Sequence, residues 1–187
     1  SRRYDYGESA VTPYLLSAGD TRIESVVMTH PDNDHSGGLP YVIRTLGAEQ
    51  VFGVDGGVLT GAMAEMSAAS AERGTTPTLG AGGTIHRSRA GDIPLSVEVI
   101  YPRAPGDIDL LDGDANADSL VLMVRYGAFR ALLTGDIEAD VEGFLAQGAA
   151  EGWIDIGAHV LKVPHHGSRS SSSARFVDAV SPSHAVV

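Results

Sequence analysis

Three apolar runs in this chain each end in a histidine or an aspartate beside a glycine turn, and this pattern constrains the fold more than any other feature. The first run, Ile23 to Met28, leads into Thr29-His30-Pro31-Asp32-Asn33-Asp34-His35-Ser36-Gly37-Gly38. The second, Phe129 to Thr134, leads into Gly135-Asp136. The third, His159 to Val163, leads into Pro164-His165-His166-Gly167-Ser168. A short apolar run closed by turn residues reads as a buried strand that ends in a loop. Side chains at such strand mouths converge instead of spreading over a surface. Four histidines and three aspartates stand at these three mouths, too many for chance. Imidazole suits zinc, iron and manganese, and carboxylate suits harder ions, so the mixed set predicts a hydrolytic divalent-metal site. The competing reading of the first segment is a capping loop, with Asp34 or Ser36 capping the next helix and both histidines in water. Taken alone, Thr134-Gly135-Asp136 reads as the N-cap of a helix from Ile137 onward.

Around these mouths the chain mixes strand and helix. Helical spacing covers Gly7 to Asp20, and a short helix covers Gly38 to Leu46. Val51 to Val54 reads as a strand. The Ala- and Met-rich stretch Val58 to Arg73 reads as a helix closed by Gly74, with Met63 and Met66 in the core. Residues 74–94 are rich in Gly, Thr and Pro and predict loop and short strand, with His86 exposed. Leu95 to Tyr101 alternates as a strand. Residues 103–117 form an acidic loop whose Asp107, Asp109, Asp112 and Asp114 make a solvated face. Ser119 to Tyr126 and Phe129 to Thr134 pair as a hairpin at Gly127-Ala128. Ile137 to Gln147 and Ser173 to Val180 are helices, and Ala185 opens a last strand. Steady strand–helix alternation is missing, so a doubly wound parallel sheet is disfavoured. Two mixed sheets with helices outside fit better.

Composition narrows the class. The 187 residues suit one domain spanning 1–187, and 43% hydrophobic with 20% charged residues describes a globular chain. No apolar run approaches the roughly 20 residues of a membrane helix, and the start Ser1-Arg2-Arg3-Tyr4-Asp5 lacks the apolar stretch of a signal peptide. The ends read as cut from a longer polypeptide. With no cysteine there is no disulfide, thiolate ligand or cysteine nucleophile. A net charge of −11 argues against a general nucleic-acid-binding surface. Bound divalent ions would reverse that sign locally, where a phosphate would sit.

The segment Thr29 to Leu39 resembles the His-x-His-x-Asp-His signature of the metallo-β-lactamase superfamily. Asp118-Ser119-Leu120-Val121-Leu122, Leu132-Leu133-Thr134-Gly135-Asp136-Ile137-Glu138 and Leu161-Lys162-Val163-Pro164-His165-His166-Gly167-Ser168 are similar to the C-terminal domain of ComEC competence proteins. The resemblance covers about residues 8 to 187. It implies an α/β (α+β) fold, an αββα four-layer sandwich of two mixed sheets with metals at the sheet edges, here truncated at both ends. It implies a nuclease that digests the DNA strand not imported during transformation, two divalent metal ions (manganese or zinc), and a parent chain embedded in the bacterial cell membrane with this domain soluble. Carried over by position, His30 and Asp32 hold one metal, Asp34 and His35 the other, and Asp136 bridges both. His165 completes a metal shell with His166 beside it. Asp32 stands where most of the superfamily has His, which hardens the site toward manganese. The third-motif histidine has no clear counterpart; Asn116, Asp118 or Ser119 occupies its region.

On this template Asp34 orients the nucleophile, and Asp34 and Asp136 are the catalytic carboxylates. Ser168 and the backbone N–H groups of Gly167 to Arg169 form an anion-receiving turn, and Arg169 pairs with a neighbouring phosphate. Asn116 and Ser119 complete the substrate-binding set. Lys162 packs or forms an ion pair, and Ser170 to Ser173 cap a helix. The leading expectation is a metal-dependent phosphodiesterase acting on single-stranded DNA. A hydrolase of a small phosphodiester, ester or amide would use the same metals. A degenerate metal-binding interaction module would explain the missing histidine.

Overall fold

Residues 4–53, 61–79, 82–104 and 116–187 are described by a computed structural model of the chain. They fall into two compact units, Ser1–Gly80 and Ala81–Val187. Residues 107–114 of the acidic loop and the start of the expected helix at Val58 lie outside the described residues.

In the first unit, a one-turn π-helix (Gly7–Val11) runs into α1 (Thr12–Ala18), which stops at Gly19 with φ 90°. β1 (Ile23–Met28) buries Val26 and Met28 and exposes Glu24, the alternation of a strand with one face in a core. After it come α2 (Asn33–Ser36), α3 (Leu39–Leu46), β2 (Ala48–Gly53), α4 (Gly61–Glu72) and β3 (Thr78–Leu79). The sheet order is β1-β2-β3 with parallel pairing throughout. Val26, Met28, Ile43, Val51, Met63, Met66 and Ala69 form the core, so both methionines pack as expected. The chain thus has the two sheets with helices that the sequence predicts, and the described strands of this one all pair in parallel. Its helical connections return each strand in the same direction, which makes the pairing parallel.

The second unit carries a six-stranded sheet, order β4-β5-β6-β7-β8-β9. β4 (Gly83–Ala90), β5 (Ile93–Tyr101), β6 (Val121–Tyr126) and β7 (Phe129–Leu133) pair antiparallel. β8 (Val160–Lys162) and β9 (His184–Val186) join in parallel, reached through α5 (Ala139–Glu151) and α6 (Ala174–Val180). Val141 and Leu145, one turn apart on α5, meet Phe176 and Val180 of α6 over Tyr101, Val121, Met123, Leu132 and Leu161 of the sheet. The sequence predicts only loop and short strand where the eight-residue β4 forms. That strand lies at the sheet edge and reads Gly-Thr-Ile-His-Arg-Ser-Arg-Ala, too polar to show an apolar run. His86 consequently lies in a strand, half-buried, with Nε2 3.0 Å from Ser88 Oγ.

β7 and β8 run parallel with Leu133 opposite Lys162. Their carboxyl ends are therefore level, and the loops carrying Asp136 and His165-His166 leave the sheet side by side. Among the described residues, no helix is long and apolar enough to cross a membrane.

Candidate metal centre

In the first unit, the chain leaves β1 and buries His30 completely. Thr29 Oγ1 lies 3.1 Å from its Nδ1. Asp32 occupies the N-cap position of α2 but makes no side-chain cap, so its carboxylate stays available. Its Oδ2 is 4.0 Å from His30 Nε2. Asp34 Oδ2 is 3.7 Å from His35 Nε2, and the rings of His30 and His35 stand 4.2 Å apart. Ser36 is buried and donates to the Pro31 carbonyl at 3.0 Å, closing the loop on itself. The capping-loop alternative fails on these facts, because neither Asp34 nor Ser36 caps and His30 is shielded from water. The glycine pair has a packing reason. A Cβ on Gly7 would stand 2.1 Å from the Gly38 carbonyl oxygen, so the first helical turn rests backbone to backbone on the histidine loop.

In the second unit, Asp136 is 4% exposed and its N–H donates to Ser119 Oγ at 3.2 Å. Its Oδ2 lies 3.4 Å from His166 Nε2, and its Oδ1 lies 3.6 Å from Lys162 Nζ. Lys162 also donates to the carbonyls of Gly135 (3.3 Å) and Val163 (3.1 Å), tying the two parallel loops together. Its expected ion pair is thus present. His165 (φ 44°) and His166 (φ 50°) both adopt the left-handed region before Gly167 (φ 77°). Two successive non-glycine residues there cost about 1–3 kcal/mol each. The strain is held by Ser168 N–H donating to His165 O (2.8 Å) and by Ser171 Oγ donating to Pro164 O (2.9 Å).

The substrate-binding expectations divide. Arg169 is exposed and suited to meet an anion. Ser119 is fully buried, and its hydroxyl oxygen receives Asp136 N–H, so it positions that aspartate and does not meet substrate. Asn116 is half-buried in the turn before it, and its carbonyl accepts Ser119 N–H at 3.1 Å. Of the N–H groups in the expected anion-receiving turn, that of Ser168 is taken up by His165 O. Two carboxylates were missed. Glu138 Oε1 accepts from His165 Nδ1 and from Ser170 Oγ, both at 2.9 Å. Glu142, wholly buried, accepts the backbone N–H groups of Ser172 and Ser173. The available signal was Glu142 beside Val141 and Leu145 on the apolar stripe of α5, facing a serine run.

These donors fit a divalent ion. The pairs Asp32–His30, Asp34–His35 and Asp136–His166 stand 3.4–4.0 Å apart, beyond a good hydrogen bond. Two ligands held at about 2.1 Å from one ion lie roughly 3.0–3.4 Å apart, so small side-chain rotations suffice. The family model of the metallo-β-lactamase superfamily matches residues 2–187. The chain belongs to the metallo-β-lactamase superfamily. ComE operon protein 3 of Bacillus subtilis (strain 168) is 27% identical over 98% of this superfamily chain, and competence protein ComA of Neisseria gonorrhoeae is 30% identical over 96%. The chain spans 22% of the length of each. Among solved structures, CmlA, a diiron β-hydroxylase from Streptomyces venezuelae, has a TM-score of 0.51 at 12% identity, covering 88% of this chain and 35% of that one. That likeness shows the metallo-β-lactamase fold alone, since one fold hosts several chemistries. Family and donor chemistry together make this a metallo-hydrolase fold equipped to bind divalent metal.

Proposed function

We propose that this chain is a metal-dependent phosphodiesterase that cleaves single-stranded DNA as one domain of a DNA-uptake protein. The observation that carries the reading is the spacing of the three acid–imidazole pairs, 3.4–4.0 Å, at the strand ends where the signature falls. The choice of DNA rests on the likeness to proteins named for competence, which covers nearly the whole chain. In this reading residues 1–187 act as one domain, and the parent chain is held in the bacterial cell membrane.

His30 and Asp32 would hold one ion, Asp34 and His35 a second. Asp136, His165 and His166 would supply the further donors. Asp32, standing where most of the superfamily has His, favours manganese over zinc. Such ions supply Lewis acidity to an attacking water and to the leaving oxygen. The chain's own residues do the rest. Asp34, exposed at the rim, orients the water. Ser119 fixes the backbone of Asp136, and Lys162 fixes the loops to either side of it. Arg169 receives a flanking phosphate.

The test is hydrolysis of labelled single-stranded DNA, duplex DNA and a chromogenic phosphodiester with manganese. Manganese-dependent cleavage with single strands preferred is expected. Turnover of the small ester without DNA cleavage would replace DNA by a small-molecule substrate. Metal uptake with no hydrolysis would leave a binding module.

A further inference from the structure

Glu138 immediately precedes α5, where a side chain would ordinarily cap the helix, yet it makes no cap. The loop supplies one instead: Ala139 N–H donates to Ser170 O at 3.0 Å. The Glu138 side chain is thereby released to face that same loop. Its Oε1 accepts from His165 Nδ1 at 2.9 Å and from Ser170 Oγ at 2.9 Å. A carboxylate only accepts, so both partners must donate. Ser170 has one hydroxyl proton, and it is spent on Glu138. Ser168 Oγ, 3.0 Å from Ser170 Oγ, must then be the donor between the two serines. The proton order runs Ser168 to Ser170 to Glu138, with His165 Nδ1–H arriving on the same oxygen.

From this order we infer that Glu138 is a positioning residue that fixes the tautomer and ring plane of His165. With the proton held on Nδ1, the lone pair of the neutral ring sits on Nε2, the nitrogen left to bind an ion. Loss of a carboxylate that orients a ligating imidazole costs about 10- to 100-fold in metal affinity. The left-handed backbone at His165 gives the contact its purpose: a strained residue keeps one ring orientation only when its surroundings over-determine it. The same geometry turns the Ser168 hydroxyl proton into this chain of hydrogen bonds. The inference rests on the reading of His165 as a metal ligand.

Two measurements on the full chain test it: long-range ¹H–¹⁵N NMR of the His165 ring in metal-free protein at alkaline pH, and manganese affinity by calorimetry. Glu138→Gln keeps a carbonyl acceptor, so it should keep the Nδ1–H tautomer and most of the affinity. Glu138→Ala should release the ring to a tautomer mixture and weaken manganese about 10- to 100-fold. A merely structural role would lower the melting temperature and leave the tautomer unchanged. An unchanged tautomer in Glu138→Ala would therefore overturn the inference. So would unchanged manganese affinity in Glu138→Ala when His165→Ala lowers it. If His165→Ala itself leaves affinity intact, the ligand reading falls and takes the inference with it; the tautomer spectrum tells the two failures apart.

Discussion

Replacing Glu142 should destabilise the fold more than any other change to a charged side chain among the described residues of the second unit. The carboxylate is fully buried and accepts two backbone N–H groups, those of Ser172 and Ser173, at the start of α6. Each such charge-assisted bond contributes about 1.5–3 kcal/mol. Removing the carboxylate also removes its own desolvation cost, which is several kcal/mol. The two N–H groups left behind are half-buried, so water meets part of their need. The balance for Glu142→Ala comes to about 2–4 kcal/mol, a large share of the 5–15 kcal/mol that holds a domain. Glu142→Gln keeps one acceptor and should cost about half as much. Urea unfolding should rank wild type above Gln above Ala, with the alanine variant melting roughly 5–15 °C lower. Hydrogen exchange at the amides of 172 and 173 should accelerate before the rest of α6. An alanine variant within about 0.5 kcal/mol of wild type would refute the clamp, since that is the range of an ordinary surface substitution.

Other outcomes follow from the same geometry. Leu132→Ala, at a fully buried position in the larger core, should cost about 2.5–5 kcal/mol in denaturant unfolding. Gly148→Ala should destabilise by about 1–3 kcal/mol even though alanine favours helix, because its Cβ would stand 2.5 Å from Ile154 Cγ2 and 2.6 Å from the Trp153 ring; thermal melting reads the sign. The hydrogen bond and ion pair from Arg130 lower the Asp155 pKa below its ordinary value. A depressed folded pKa gives stability that is present above the unfolded pKa, about 3.9, and is lost as pH falls through the folded value. Arg130→Met should therefore cost under about 1 kcal/mol near neutrality, Asp155 being largely exposed, and that electrostatic part of the cost should vanish in acid; a gap that widens in acid would contradict this.

Much of the fold could be read because apolar runs mark strands wherever burial is one-sided or complete. β1, β5, β6 and β7 are such runs, and Gly127 and Gly135 mark the turns after β6 and β7. β4 escaped because an edge strand with arginines and a histidine buries too little to leave a pattern. The donor residues were visible as a dense His/Asp cluster at strand ends. The carboxylates behind them were not, because Glu138 and Glu142 act across 27 to 31 residues of chain on backbone and ring atoms that spacing alone does not connect. Ser119 misled for a related reason. A serine beside a motif reads as a substrate contact until its burial shows that its oxygen faces Asp136 N–H.

The central claim is that the histidines and aspartates at these strand ends bind divalent metal and that hydrolysis depends on it. Its most direct test is manganese binding, measured by equilibrium dialysis with elemental analysis alongside single-stranded DNA cleavage, in wild type, His30→Ala and Asp136→Ala. The account predicts stoichiometric manganese in wild type and a loss of both binding and cleavage in either variant. Cleavage that survives both substitutions, or binding lost in only one of them, would contradict it.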